Sequence, residues 1–262
     1  MQHNGQCDRL PPFIMSSVPK SGTHLLHQIL NGMPNVSNDI GNADKKFFVD
    51  HPVQHVDTFK DHFYRLAQLQ PNEFGLGHMF YSEQYAYMLR RLHLKHVFIY
   101  RDPRDVLVSL SYFIPDHWGE HPLYDDFKRR TTNQRDRILK LIHGVPGIWP
   151  DFTAWNRPFY QWKADPNTLS ITFEDLMRSS ASRRETIMSI VHYLWDGLKP
   201  PVPYEEMVNL MEASIDPQHS NTFRKGEIGS WRQELDGSLV QDFKRVAGDL
   251  LIESGYERDY DW

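Results

Sequence analysis

Lys20, Ser21, Gly22 and Thr23 share a short polar turn that follows an apolar run at residues 13–17 and leads directly into a helical pattern. A turn of this kind holds anions. The first amides of a helix have no intrahelical partner and carry partial positive charge, glycine lets the backbone come close, and lysine adds a full charge. The plain alternative is an ordinary strand-to-helix turn with a surface lysine. A second candidate is Arg101, at the end of the apolar run 96–100, with Ser109 in the helical pattern that follows. Arginine's planar fork gives two parallel charge-assisted hydrogen bonds to phosphate oxygens, although the segment alone equally allows Arg101 to pair with a carboxylate and Ser109 to be an ordinary helix residue. A third is FRKGEIGSWRQEL, residues 223–235, where Arg224, Lys225 and Gly226 fall in a polar, glycine-containing stretch that reads as a loop, or else as a solvated basic turn. For proton transfer the candidate is His78, in GLGHMF, 23 residues before Arg101. An imidazole of ordinary pKa, about 6.5, accepts a proton near neutral pH. His24 lies beside the first turn, where it either helps neutralise an anion or is an exposed helix residue, as does His27. His51 and His55 have an H-x-x-x-H spacing, but no helical pattern surrounds them, so no metal site is expected.

The elements that must position these groups are short apolar runs, each followed by a helical pattern. Residues 13–17, 96–100 and 169–173 read as buried strands. After the first, Leu25, Leu26, Ile29 and Leu30 form one helix face, stopped by Gly32 and Pro34. After the second, Asp102 is placed to cap a helix with Pro103 in its first turn. After the third, Ile187, Met188, Val191, Leu194 and Trp195 repeat at helical spacing. Ser238 and Gln241 have the spacing of a capping box for a final helix. Alternating strands and helices predict an α/β fold, a central, mainly parallel sheet flanked by helices, with ligands at the carboxyl ends of the strands. Residues 116–166 read as helices and loops over the sheet, a place for an acceptor pocket. There Trp149, Trp155, Tyr160 and Trp162 either line that pocket or fill the core, and Arg129, Arg130, Arg135, Arg137 and Lys140 form a solvated helix face or an anion site.

Composition bounds the rest. A chain of 262 residues, 40% hydrophobic and 24% charged, has the balance of one large domain, residues 1–262, with residues 1–12 expected to be disordered or loosely packed. The single cysteine, Cys7, cannot form an intramolecular disulfide and suits a reducing cytoplasm. The N-terminus has no apolar signal-peptide region, and no apolar run approaches the roughly 20 residues that cross a bilayer, so no membrane association is expected. A net charge of -5 repels polyanions at long range, which argues against nucleic acid as a partner.

The segment PKSGTHLL resembles the 5′-phosphosulfate loop, commonly PKSGTTW, of the cytosolic sulfotransferase family that uses 3′-phosphoadenosine 5′-phosphosulfate (PAPS). Residues 100–113, YRDPRDVLVSLSYF, resemble that family's 3′-phosphate motif, typically YRNPKDVAVSYYHF, and residues 223–231 its RKGxxGDW element. This resemblance implies a P-loop-type domain that moves a sulfuryl group, in line, from PAPS to a hydroxyl or amine of a small-molecule acceptor. The product would be the 3′,5′-bisphosphate PAP, with no metal required and a monomer or homodimer as the working state. It assigns Lys20, Ser21, Gly22, Thr23 and His24 to the phosphosulfate, and Arg101, Ser109, Arg224, Lys225 and Gly226 to the 3′-phosphate. Phe173, in ITFEDL, would lie near the adenine, with Ala213 and Ser214 approaching it. His78 matches the histidine of the family's Lys-Thr-His segment, the general base, while Lys20 would stabilise the leaving group and Ser109 would steer Lys20. The sequence departs from the family at Leu25, where a tryptophan is common, at Leu76 and Gly77, which replace the lysine and threonine before the histidine, and at Ser230, where an aspartate is frequent. Two rivals remain: a non-catalytic nucleotide-binding protein of the same fold, and a P-loop kinase, against which the missing G-x-x-x-x-G-K-[ST] order counts.

Overall fold

Five parallel strands form the sheet in the order β2-β3-β1-β4-β5 in a computed structural model that describes residues 7–50, 56–131, 133–216 and 226–262. β1 (Phe13–Ser17) is central, entirely buried, and flanked by β3 (Phe74–Met79) and β4 (Lys95–Tyr100). The edges are β2 (Lys46–Val49) and β5 (Thr168–Thr172). The sheet is wholly parallel, so its amides and carbonyls are covered on both faces by helices, as such sheets require. On one face α1 (Thr23–Asn31), α9 (Ser180–Trp195) and α10 (Tyr204–Ala213) pack Leu26, Ile29, Ile187, Val191 and Met207 against Phe13, Met15 and Val97. On the other, α2 (Val56–Leu66), α3 (Glu83–Arg91), α4 (Pro103–His117), α5 (Tyr124–Arg129), α6 (Gln134–His143), α7 (Phe152–Tyr160) and α12 (Gly237–Ser254) cover Ile14, Phe47 and Phe98. The short α8 (Phe173–Met177) and α11 (Trp231–Glu234) complete the chain.

The three expected strands and the helices after them are present, with one boundary moved: Phe173 opens α8 instead of ending β5. Asp102 caps α4 by accepting from the Arg104 amide, as its position predicts. The final helix is capped differently. Asp236 accepts from the Ser238 and Leu239 amides, so Ser238 is a first-turn residue and the Ser238–Gln241 capping box does not form. Within residues 1–12, expected to be disordered or loosely packed, Leu10 is buried and exchanges bonds with Asn72, and Asp8 pairs with the Lys199 backbone. Trp149, Trp155, Tyr160 and Trp162 are core residues. Among the basic residues after α4, Arg129 is exposed and pairs with Asp125, and Lys140 bonds Asp126, the pattern of a solvated face. No helix of the described residues is long and apolar enough to cross a membrane.

Candidate active site

A cavity of about 1010 Å³ opens at the carboxyl ends of the strands. Each strand delivers residues to it: Phe48 from β2 and Asp50 from the residue after it, His78 from β3, Lys20 from the turn after β1, Arg101 from the residue after β4, and Phe173 from the residue after β5.

The turn after β1 is built for close approach. Lys20 adopts φ +70° and Gly22 φ +94°. A non-glycine residue held in the left-handed region is strained, and such strain gathers at functional sites. At Gly22 a Cβ would lie 2.8 Å from the Phe173 ring, so only glycine fits. α1 begins immediately, with no side-chain cap and no acidic residue in its first turn, so its leading amides are left for a ligand. The Lys20 ammonium lies over the Phe113 ring at 3.5 Å, where the aromatic face stabilises the cation.

Arg101 is 7% exposed and stacks over the Phe173 ring at 4.4 Å. Its guanidinium donates to the Lys20 carbonyl at 3.4 Å and the Glu227 carbonyl at 2.6 Å, and lies 3.4 Å from the Asp105 carboxylate. Its Nε is buried with no partner among the described residues. Asp105, 1% exposed, also accepts from the Gly229 amide, the Ser230 hydroxyl and the Trp231 amide at 2.8–3.0 Å. One carboxylate thus ties the chain at 229–231 to α4 and to the arginine. The Tyr160 hydroxyl donates to the Arg101 carbonyl, and Glu174, the acid of ITFEDL, accepts from the Asp102 amide and the Tyr256 hydroxyl.

The His78 Nδ1 lies 3.0 Å from the Ser17 carbonyl, which can only accept. That bond places the hydrogen on Nδ1 and leaves Nε2 with its lone pair. The Ser17 hydroxyl, 3.0 Å from Nδ1, bonds Thr23 at 2.7 Å and so links the imidazole to the first turn of α1. Burial holds the His78 pKa below the usual histidine value; Asp50 and the Ser17 carbonyl oppose that shift, and Lys20 adds to it. His24 is held down first by burial and then by the nearby His27, Lys20, His78 and Lys46.

The structure therefore brings Lys20, Gly22, Thr23, His24, His78, Arg101, Ser109, Phe173 and Gly226 to one cavity. It does not bring the Ser21 side chain there: the residue is fully buried beneath the turn, and its amide bonds the Val18 carbonyl. Ser109 lines the cavity alongside Lys20. Ala213 and Ser214 stay off the lining, since the Ser214 hydroxyl bonds the Gln28 and Met211 carbonyls; their neighbours Glu212 and Ile215 line it instead. His27 is structural, buried and bonded to Asn38. Arg224, Lys225, His51 and His55 lie outside the described residues. Sequence reasoning missed β2 and β3 as strands, and with them Lys46, Phe48 and Asp50; it also missed Phe113, Trp118 and Glu120 in the cavity lining. A signal existed for β3, because Gly77 marks a close approach: a Cβ there would lie 1.7 Å from the Phe47 carbonyl oxygen.

A rabbit (Oryctolagus cuniculus) amine sulfotransferase is 23% identical over 254 residues, covering 87% of this chain and 76% of its own. Cytosolic sulfotransferase 12 of Arabidopsis thaliana is 25% identical over 180 residues, covering 62% of this chain and 51% of its own. Among solved structures, mouse sulfotransferase SULT7A1 complexed with PAP superposes with a TM-score of 0.61 at 17% identity, covering 96% of this chain and 86% of that one. Retinol dehydratase in complex with androsterone and PAP gives 0.57 at 17%, covering 92% and 80%. The sulfotransferase domain family itself matches residues 10–194, most of the sequence, and the chain belongs to that family.

Proposed function

We propose that this sulfotransferase takes its sulfuryl group from PAPS, passes it in line to a hydroxyl or amine of a small molecule, and releases PAP, with His78 as general base. The observation that carries the reading is a single cavity lined by the first turn of α1, Lys20, Arg101 and His78. The residues fit the donor. The leading amides of α1 with Thr23, His24 and Lys20 would hold the phosphosulfate end, and Gly22 gives it room. Arg101, whose buried Nε has no partner among the described residues, would hold the 3′-phosphate with Ser109 and Gly226; Arg224 and Lys225 join it on the motif. Phe173 and Leu25 present apolar surface for the adenine, the leucine doing without a tryptophan's stacking face. Both structural neighbours named above were solved with PAP, and the curated relatives carry sulfotransferase names, one of them cytosolic. The cytoplasm is the proposed compartment, in keeping with one free cysteine.

The donor supplies an activated sulfuryl group bonded to a phosphate that can leave. The chain's part is positional and electrostatic. His78 takes the acceptor's proton at Nε2 as the acceptor oxygen or nitrogen bonds to sulfur. The bond from sulfur to the phosphate oxygen breaks with its electron pair, which stays on PAP, and Lys20 offsets that charge. A depressed pKa keeps His78 neutral, hence able to accept, at pH 7.

PAP added without metal should raise the melting temperature, whereas ATP with magnesium should not; the reverse result selects the kinase. His78→Ala should abolish transfer and leave PAP binding nearly intact, while Arg101→Ala should weaken PAP by about 2–5 kcal/mol. Robust PAP binding with no transfer from PAPS to any of a broad panel of phenols, alcohols and amines would point to the non-catalytic reading. PAP affinity untouched by Arg101→Ala would remove the 3′-phosphate assignment.

A further inference from the structure

Lys46 and Leu76 are register partners on the parallel strands β2 and β3, as are Phe48 and His78 two residues further on. Paired residues in neighbouring strands point to the same face, and residues two apart share it. All four line the cavity, whereas Phe47 and Val49, between and after them on β2, turn into the opposite core. Lys46 thus stands on the sheet face beside His78, directly across from the leucine that takes the place of the family's lysine.

The cation at this position is uncommitted. Its neighbour Lys45 is held by Glu73 at 2.9 Å, but the Lys46 ammonium makes no hydrogen bond or ion pair among the described residues, and its backbone carbonyl accepts from Arg65. The side chain is half-buried, so its charge sits in a partly desolvated wall where it acts more strongly than on open surface. It lies within Coulombic reach of His24, an imidazole that also feels Lys20 and His78. Lys46 therefore shares one electrostatic neighbourhood with the proposed phosphate turn and the proposed base.

We propose that Lys46 binds the oxygens of the sulfuryl group, a role that position 76 cannot perform here because a leucine occupies it. The positive charge has moved one strand outward while remaining on the same face and in the same register, and a lysine's four-carbon stem spans the difference between adjacent strands. The proposal rests on the PAPS reading given above. It adds to it the residue that distinguishes the charged donor from the spent nucleotide.

The test needs no acceptor. Equilibrium binding of PAPS and of PAP is measured by titration calorimetry for the wild type, Lys46→Met, Lys46→Gln and the exchange Lys46→Leu with Leu76→Lys, each checked by its melting curve. Both single variants should weaken PAPS by about tenfold or more, the loss of one charge-assisted contact, and change PAP by less than about twofold. The exchange should recover most of the PAPS affinity. Equal losses for PAPS and PAP, no loss for either, or an exchange no better than the single variants overturns the proposal. A wild type that binds neither nucleotide removes the donor reading along with it, an outcome distinct from a wild type that binds both with Lys46 indifferent.

Discussion

Asp105→Ala should do more damage than any substitution of an obviously charged surface residue, although Asp105 never needs to touch a ligand. The wild-type carboxylate, 1% exposed, accepts from two backbone amides and one hydroxyl and faces the Arg101 guanidinium at 3.4 Å. Truncation leaves the Gly229 and Trp231 amides without their acceptor, at about 1–3 kcal/mol for each one that stays buried. Arg101 keeps the Glu227 carbonyl and the Phe173 face but loses the carboxylate it faces at 3.4 Å. Breaking a buried pair from one side costs about 3–5 kcal/mol, and water entering beneath the loosened 229–231 segment sets the lower figure. For a chain of this size each kcal/mol moves the melting temperature by about 2–4 °C, so a drop of about 10 °C is expected. Scanning calorimetry with and without PAP gives two readouts. The melting temperature should fall in both, and the PAP-induced rise should shrink, because Arg101 and the chain at Gly226 lose their common anchor. Ser230→Ala, which removes one of the donors and no charge, should cost only about 1 kcal/mol. If Asp105→Ala melts within about 2 °C of the wild type and keeps its full response to PAP, the carboxylate is not the fastener described here.

Gly77→Ala tests the close approach of β2 and β3. A Cβ at 1.7 Å from the Phe47 carbonyl forces β2 to move by more than an ångström, so a loss of about 3 kcal/mol is expected by thermal melting, together with slower transfer as Phe48 shifts against His78. Gly119→Ala, where a Cβ meets nothing within 4 Å, should be neutral in the same assays. Acid should destabilise the fold through two core histidines, His62 and His96, whose pKa values burial lowers to about 4 and about 3. The unfolded chain binds their protons below about pH 6.5 and the folded chain does not, so stability falls as pH drops from 6.5 toward 4, by about 2 kcal/mol for each histidine between pH 7 and 5. Denaturant melts at the two pH values measure this, and His96→Gln should remove its share of the difference, about 2 kcal/mol; an equal pH dependence in variant and wild type would show that His96 does not contribute.

What the sequence determined by itself were the units that are local in the chain. β1, its polar turn and α1 are consecutive, so an apolar run, a glycine and a helical repeat sufficed to locate Lys20, Gly22 and Thr23. The same holds for β4, Arg101 and the Asp102-capped α4, whose cap needs only the amide two residues on. Tertiary structure decided the other half of the cavity. β2 has four residues and β3 carries two glycines and a histidine, so neither has the β-branched run or strict alternation that marks a strand in isolation. Their conformation comes from pairing with β1 and from the fit of Phe47 against Gly75 and Gly77. Only that pairing sets Lys46 and Phe48 beside Leu76 and His78. The Asp105 fastener was equally hidden, because its partners lie more than a hundred residues away and the hydrogen bonds joining them exist only once both segments are packed. Short-range backbone preference leaves a trace in composition, whereas register and long-range satisfaction of polar groups are properties of the packed sheet and its covering helices.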